Sequence, residues 1–247
     1  ASMLNIREVY KVGGAQAVAG LALGTKTIRK VDMIVGPGNE YVTEAKRQVY
    51  GLVGIDMLAG PSEVVIVANR NNNPEYIRRD LEAQTEHRGG LGIVVLIDNG
   101  KANDNSLSKL SIPGAYLIPV KNAEEAKKVV NELAPEHLEV LIKSGRQFAK
   151  DIKNAGAIFI GESTPVALGD YVAGPSHVLP TATTARFSSG LSVHDFLKRI
   201  HYIEYSKRAL TADAPTLQKI GGLENMNQHI ASVMARFGRA ADKEEQA

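Results

Sequence analysis

The sequence contains no cysteine, which removes disulfides, thiolate zinc sites, iron–sulfur clusters and thiol nucleophiles together. Any metal must be bound by His, Asp, Glu or an amide oxygen. The absence agrees with a reducing compartment without requiring one. Long apolar runs are also missing. No window approaches the ~18 consecutive apolar residues of a membrane span, and the opening ASMLNIREVY has no signal-peptide core. A soluble, cytoplasmic protein with no membrane partner is therefore expected. Excess charge of one sign is scarce: 29 Lys and Arg against 27 Asp and Glu leave a net +2, spread along the chain. No electrostatic footprint for nucleic acid is expected, so small metabolites or other proteins are the expected partners. There is no internal repeat and no low-complexity linker.

At 247 residues and ~150 residues per domain, the chain has room for one to two domains and a real core. Hydrophobic residues at 44% and charged residues at 23% exclude disordered, collagen-like and coiled-coil classes. Segments of helical period alternate with short β-branched runs, the pattern of an α/β protein with a largely parallel sheet. Strands are predicted over Asp32 to Val35, Glu63 to Ala68, Gly92 to Ile97, Ala115 to Pro119 and Ala157 to Ile160. Helices are predicted over Ala15 to Leu23, Tyr41 to Val49, Pro74 to His87 and Ala123 to Leu133. From about Val193 the strand pattern stops, and His201 to Lys219 and Asn225 to Arg236 read as helices joined by Gly221-Gly222. Ala240 to Ala247 is charged and expected to fray.

Five constellations have chemical potential. Gly13-Gly14-Ala15-Gln16 and Gly36-Pro37-Gly38-Asn39 stand where glycines let backbone amides approach a phosphate at a helix start, yet neither matches G-x-G-x-x-G and each also reads as an ordinary turn. Gln84 and His87 share a helix face at i and i+3 and can point at one ion, or form a solvated surface. Glu136-His137 follows a helix; adjacent residues of an extended segment point to opposite faces, so both serve one pocket only at an element's end or bend, which Pro135 favours. Imidazole is the natural general base near neutral pH and a desolvated Glu can act as acid or base, while capping roles remain open. Asp170 and His177 stand among turn residues, a metal carboxylate and a substrate donor in one loop. Glu224 and His229 are five apart, off a shared helix face, and read as surface residues.

Six blocks, in order, resemble histidinol dehydrogenases: VYKVGGAQAVAGLALGT, VDMIVGPGNEYVTEAKRQVYGLVGIDMLAGPSEVV, EAQTEH, LAPEHLEV, GAIFIGESTPVALGDYVAGPSHVLPT and ENMNQHIASV. The resemblance implies Rossmann-like parallel-sheet units with a helical C-terminal dimerisation segment: residues 1–61 part of the dinucleotide-binding domain, 62–191 part of the substrate and zinc domain, 192–247 the helical unit. It implies NAD-dependent oxidation of L-histidinol through the aldehyde to L-histidine, with one zinc ion per subunit. The implied zinc ligands are Gln84, His87, Asp170 and His229, and the implied catalytic pair is Glu136 and His137. Substrate would be contacted by Ser62, His177 and Glu224 together with Gln84, His87, His137, Asp170 and His229, and NAD by Gln16 and Asn39. A homodimer with shared active sites is implied, with Glu224 and His229 acting across it.

An aldehyde is oxidised to an acid through a tetrahedral adduct. With no cysteine the nucleophile is expected to be water, its hydrate formed and deprotonated with help from Glu136 and His137. Family members carry a large N-terminal part ahead of the Gly-Gly-Ala-Gln segment, so an exposed apolar edge or face is expected here. The C-terminal block reads ENMNQH where an EGL-type start is more usual. Two other readings stand beside the first: a catalytically silent fragment acting as a zinc-binding or interaction module, and a paralogue oxidising another hydroxylated substrate.

Overall fold

The computed structural model describes residues 1–86, 89–98 and 112–237. The chain divides into two compact units, Ala1–Leu197 and Lys198–Ala247. Among the described residues every strand pairing is parallel.

The first unit opens with α1 (Gly14–Leu23), β1 (Met33–Ile34), α2 (Glu40–Val49) and β2 (Gly54–Ile55). The β1 and β2 strands make a two-stranded sheet, and Val18 and Ala22 of α1 pack on Ile34 and Val53. Asn39 starts α2 by accepting the Val42 N–H at 3.2 Å. Beneath the Gly36 turn, Lys46 is buried and donates to Asp56 Oδ1 and to the Gly36 carbonyl, both at 2.5 Å. Asp56 Oδ2 accepts the Gly36 N–H at 2.7 Å. Gly36 sits at φ 115°, a conformation open to glycine and strained for other residues. Strand β2 is not foreseen from the sequence, because two residues containing a glycine carry no periodicity.

The remainder of the unit is built on a five-stranded sheet of order β5-β4-β3-β6-β7. Its strands are β3 (Glu63–Asn69), β4 (Leu91–Ile97), β5 (Ala115–Val120), β6 (His137–Val140) and β7 (Ala157–Ile160). Helix α3 (Pro74–Thr85) follows β3, α4 (Ala123–Leu133) follows β5, and α5 (Gly145–Ala149) joins β6 to β7. Alternate residues of β3 explain the covering of both faces. Val64, Ile66 and Ala68 pack under Ile77 and Leu81 of α3, while Val65 and Val67 pack under Ala126 and Val130 of α4 and Phe148 of α5. Each of these large buried side chains contributes about 1.5–3 kcal/mol.

Strand β6 adds to the sequence reading, which sets Glu136-His137 after a helix, at an element's end or bend, and predicts no strand there. Helix α4 ends at Ala134, in the left-handed conformation at φ 47°, and the chain enters a central strand at once. Its polar residues hid it: Leu138 and Val140 join the α4 face, whereas His137 and Glu139 occupy the α3 face and are buried all the same.

The short helix α6 (Ala167–Tyr171) follows β7. In the second unit, α7 (Lys207–Leu223) starts six residues later than expected, capped by Ser206, whose Oγ accepts the Ala209 N–H at 3.1 Å. Gly221 and Gly222 do not join two helices; both lie inside α7. Gly221 is small because Ile230 of α8 (Asn227–Met234) packs against it, and a Cβ there would lie 3.0 Å from Ile230 Cγ1. The break falls at Glu224 to Met226, with Asn225 at φ 58°. Among the described residues from Val193 onward there is no strand, and no helix is long and apolar enough to cross a membrane. Residues Ala240 to Ala247 lie outside the described residues.

Candidate functional site

The starting ends of β3, β6 and β7 gather the reactive groups of the first unit. Glu136 stands immediately before β6 and His137 is its first residue, so the pair occupies an element's end. Both are 6% exposed. Glu136 Oε2 accepts the Glu63 N–H at 3.0 Å. His137 Nδ1 lies 3.1 Å from the Glu63 carbonyl oxygen, which can only accept, so Nδ1 carries the ring proton and Nε2 is the basic nitrogen. Nδ1 is also 3.5 Å from Glu136 Oε2. Phe159 of β7 meets the imidazole with ring centroids 6.0 Å apart.

His137, Phe159, Gly169, Asp170, Ser176 and His177 line a cavity of about 210 Å³. Asp170 comes from α6, which lies close on β7: a Cβ on Gly169 would stand 2.7 Å from Phe159 Cζ. Asp170 and His177 are solvent-exposed. Glu136 is pushed up to about 8, first by burial, then by the Glu63 and Asp170 carboxylates, against the opposing Glu63 N–H. It is therefore a carboxyl able to hold a proton at neutral pH. Burial likewise raises Glu63, whose Oε1 accepts the Ala182 N–H at 3.0 Å.

Ser62 is half-buried at the same strand end, its carbonyl accepting from Leu91 N–H at 3.0 Å, and it is not among the cavity's lining residues. Gln84 is buried in the last turn of α3, and its Nε2 has no hydrogen-bond partner among the described residues. His87 lies outside the described residues. Gln16 is exposed in the first turn of α1, whose N-terminus has no side-chain cap; Asn39 spends its Oδ1 on capping α2. In the second unit, Glu224 and His229 are exposed and line a cavity of about 540 Å³ with Tyr205, Asp213 and Ile220, where Tyr205 donates to Asp213 Oδ2 at 2.9 Å.

Among the described residues, no three His, Cys, Asp or Glu side chains converge on one point. The expected donor set nonetheless has two members in the first unit that suit a metal held by oxygen and nitrogen. A buried amide without a partner is costly unless something binds it, and a Gln amide can turn either atom toward an ion. The Asp170 carboxylate is open on the cavity. NAD finds its candidate anchor in the free backbone amides at the start of α1, beside Gln16.

A larger open cleft, about 1020 Å³, lies at the opposite ends of the strands, bordered by Asn69, Asn72, Leu141 and Glu162. Its amides and carboxylate satisfy one another, since Asn72 Nδ2 donates to the Leu141 carbonyl and to Glu162 while Asn72 Oδ1 accepts from Asn69 N–H. The smaller cavity, which holds the oriented imidazole with the buried Glu136 next to it in the chain, is the candidate chemical site. Glu63, Phe159 and Ser176 were not singled out from the sequence. Glu63 acts through backbone atoms and Phe159 through ring packing, which residue identity does not announce; Ser176 stood in the quoted Gly-Pro-Ser-His turn.

Comparison with known proteins identifies the family. The family model for histidinol dehydrogenase matches residues 1–237. The chain is 45% identical to histidinol dehydrogenase 1 of Trichormus variabilis over 96% of its own length, and 44% identical to histidinol dehydrogenase of Rhodospirillum rubrum over 97%. It spans 59% of the length of each. The crystal structure of histidinol dehydrogenase from Elizabethkingia anophelis superposes with a TM-score of 0.84 at 32% identity, covering 97% of this chain and 59% of that one. With its parallel α/β sheets and helical C-terminal segment, the chain belongs to the histidinol dehydrogenase family.

Proposed function

We propose that this chain oxidises L-histidinol to L-histidine by way of the aldehyde. The observation that carries the reading is the pair at the start of β6: an imidazole with its basic nitrogen fixed by the Glu63 carbonyl, beside a carboxyl held protonated near neutrality. In the first oxidation His137 Nε2 takes the hydroxyl proton as the carbinol C–H bond breaks. NAD, when bound near Gln16 and Asn39, supplies the acceptor for the hydride, and each oxidation needs one such equivalent. In the second oxidation water adds to the aldehyde. Glu136 donates to or accepts from the adding oxygen, with His137 removing the remaining hydroxyl proton, so no covalent enzyme intermediate is required.

Zinc would be held by Gln84, His87, Asp170 and His229, where it supplies a positive template that orients nitrogen ligands of the substrate. Ser62, His177 and Glu224 are assigned to substrate contact. The same reading includes a cytoplasmic homodimer in which Glu224 and His229 are supplied across the subunits. The test is the yield of NADH per L-histidinol consumed by the purified chain with added zinc. Two NADH per histidinol are expected. No NADH from a folded, zinc-loaded chain would show that turnover needs the remaining length found in the relatives, and would favour the reading as a binding module.

A further inference from the structure

Among the described residues of the first unit Glu139 is the most buried acidic or basic residue, with no exposed surface, and no step above uses it. It lies on β6 two positions after His137, on the α3 face of the sheet. Its Oε1 accepts the Val166 N–H at 2.8 Å, and its Oε2 finds no hydrogen-bond donor. Asp80 of α3 faces the same carboxyl, so a proton held between the two acids is the arrangement that satisfies both. Burial and the Asp80 charge push Glu139 up to about 8. Glu139 stands opposite Ile66 of β3, a member of the apolar cluster under α3, where a leucine of similar volume would suit, so packing alone does not explain an acid here.

The Val166 hydrogen bond gives the reason. Val166 is the residue from which α6 starts; α6 presses Gly169 on Phe159 and presents Asp170 to the cavity, and Phe159 in turn meets the His137 ring. We infer that Glu139 is a positioning residue, a buried tether that fastens the start of α6 to the strand bearing His137 and so fixes the spacing between Asp170, Phe159 and the imidazole. The inference rests on the site proposed above and acts within it.

The experiment compares Glu139→Gln, which keeps an acceptor for Val166 and offers Asp80 a donor, with Glu139→Leu, which keeps volume but has no acceptor. Residue-resolved amide exchange and the imidazole resonances of His137 are read on the full chain, neither of which requires turnover. In Glu139→Leu the Val166 amide is expected to exchange about tenfold faster or more, with the His137 resonances shifted, while β3 core amides such as Ile66 stay within about threefold of the parent. Glu139→Gln is expected to restore both signals. Unchanged Val166 exchange and His137 resonances in Glu139→Leu would overturn the tether, as would equal behaviour of the two variants. Should Glu139→Leu unfold, a Glu139→Gln chain lacking Val166 protection would overturn it equally. An intact tether in a chain that forms no NADH counts against the proposed activity and leaves this inference standing.

Discussion

Glu136 hangs from the backbone of Glu63, its Oε2 accepting that residue's N–H at 3.0 Å. The bond joins the starting ends of β3 and β6, and it holds the carboxyl where burial raises its affinity for a proton. One neutral donor does not offset that desolvation.

A pH dependence of stability follows, with a definite sign. Glu136 titrates near 8 in the folded chain, against 4.5 for a free carboxyl. Between those values the folded state holds a proton that the unfolded state has released, so stability falls as pH rises through the window and levels off above it. Glu139 acts in the same direction. The melting temperature is expected to drop by at least about 3 °C between about pH 5.5 and about pH 8.5. Glu136→Gln, which cannot ionise, should lessen the slope; an identical slope would show that Glu136 titrates normally.

The two members of the pair should separate kinetically. His137→Asn is expected to slow the alcohol step by about 10²–10⁴, whereas Glu136→Gln should slow chiefly oxidation of the aldehyde. Single-turnover NADH formation from histidinol and, separately, from the aldehyde resolves the two. An unchanged alcohol step in His137→Asn would remove that imidazole from the mechanism.

Metal retention gives a readout independent of turnover. Asp170→Ala and His229→Ala are expected to lower zinc occupancy after dialysis by about tenfold or more, while Glu136→Gln retains the ion. Full occupancy in both ligand variants would reject the assignment.

The buried pair of Lys46 and Asp56 makes a structural prediction. Lys46→Met leaves the Asp56 carboxylate buried without its cation, which costs about 3–5 kcal/mol. Urea unfolding should show the loss, and amide exchange should place it around Gly36, whose N–H and carbonyl both belong to the network.

Two glycines offer opposite outcomes from one substitution. A Cβ on Gly156 would meet the Glu136 carbonyl oxygen at 2.6 Å, so Gly156→Ala should destabilise by about 1–3 kcal/mol and disturb the pair. Gly222 is helical with nothing within 4 Å of an added Cβ, and Gly222→Ala should stabilise by about 0.5–1 kcal/mol. Chemical denaturation of both variants checks the contrast.

Legibility in the sequence followed physical cause. The run Glu63-Val-Val-Ile-Val-Ala announces β3 because helices cover both of its faces and every position after Glu63 is apolar. Strand β6 carries an imidazole and a carboxylate whose burial depends on Asp80, Val166 and Glu63, residues remote in the chain, so no local pattern marks it. Residue type singled out Glu136, His137, Asp170 and His177 as candidates, and the fold brings His137, Asp170 and His177 to one cavity with Glu136 next to His137 in the chain. What fixes them was not readable, since the Glu63 contacts are made by backbone atoms. In the second unit, Gly221 suggests a hinge by its type and serves as a contact surface for Ile230 by its position.

The strand order has a consequence for how the protein comes to life. Strands β3, β4 and β5 are successive in the chain, but β6 must return past them to pair with β3, and the Glu63 to Glu136 bond closes 73 residues of sequence. Closing so long a loop is entropically slow. A nascent chain that has laid down β3 to β5 therefore has an open, apolar β3 edge and no assembled acid–imidazole pair. The acid–imidazole pair assembles only once β6 has joined β3, and any mutation that delays this pairing lengthens exposure of an aggregation-prone edge without touching the finished site.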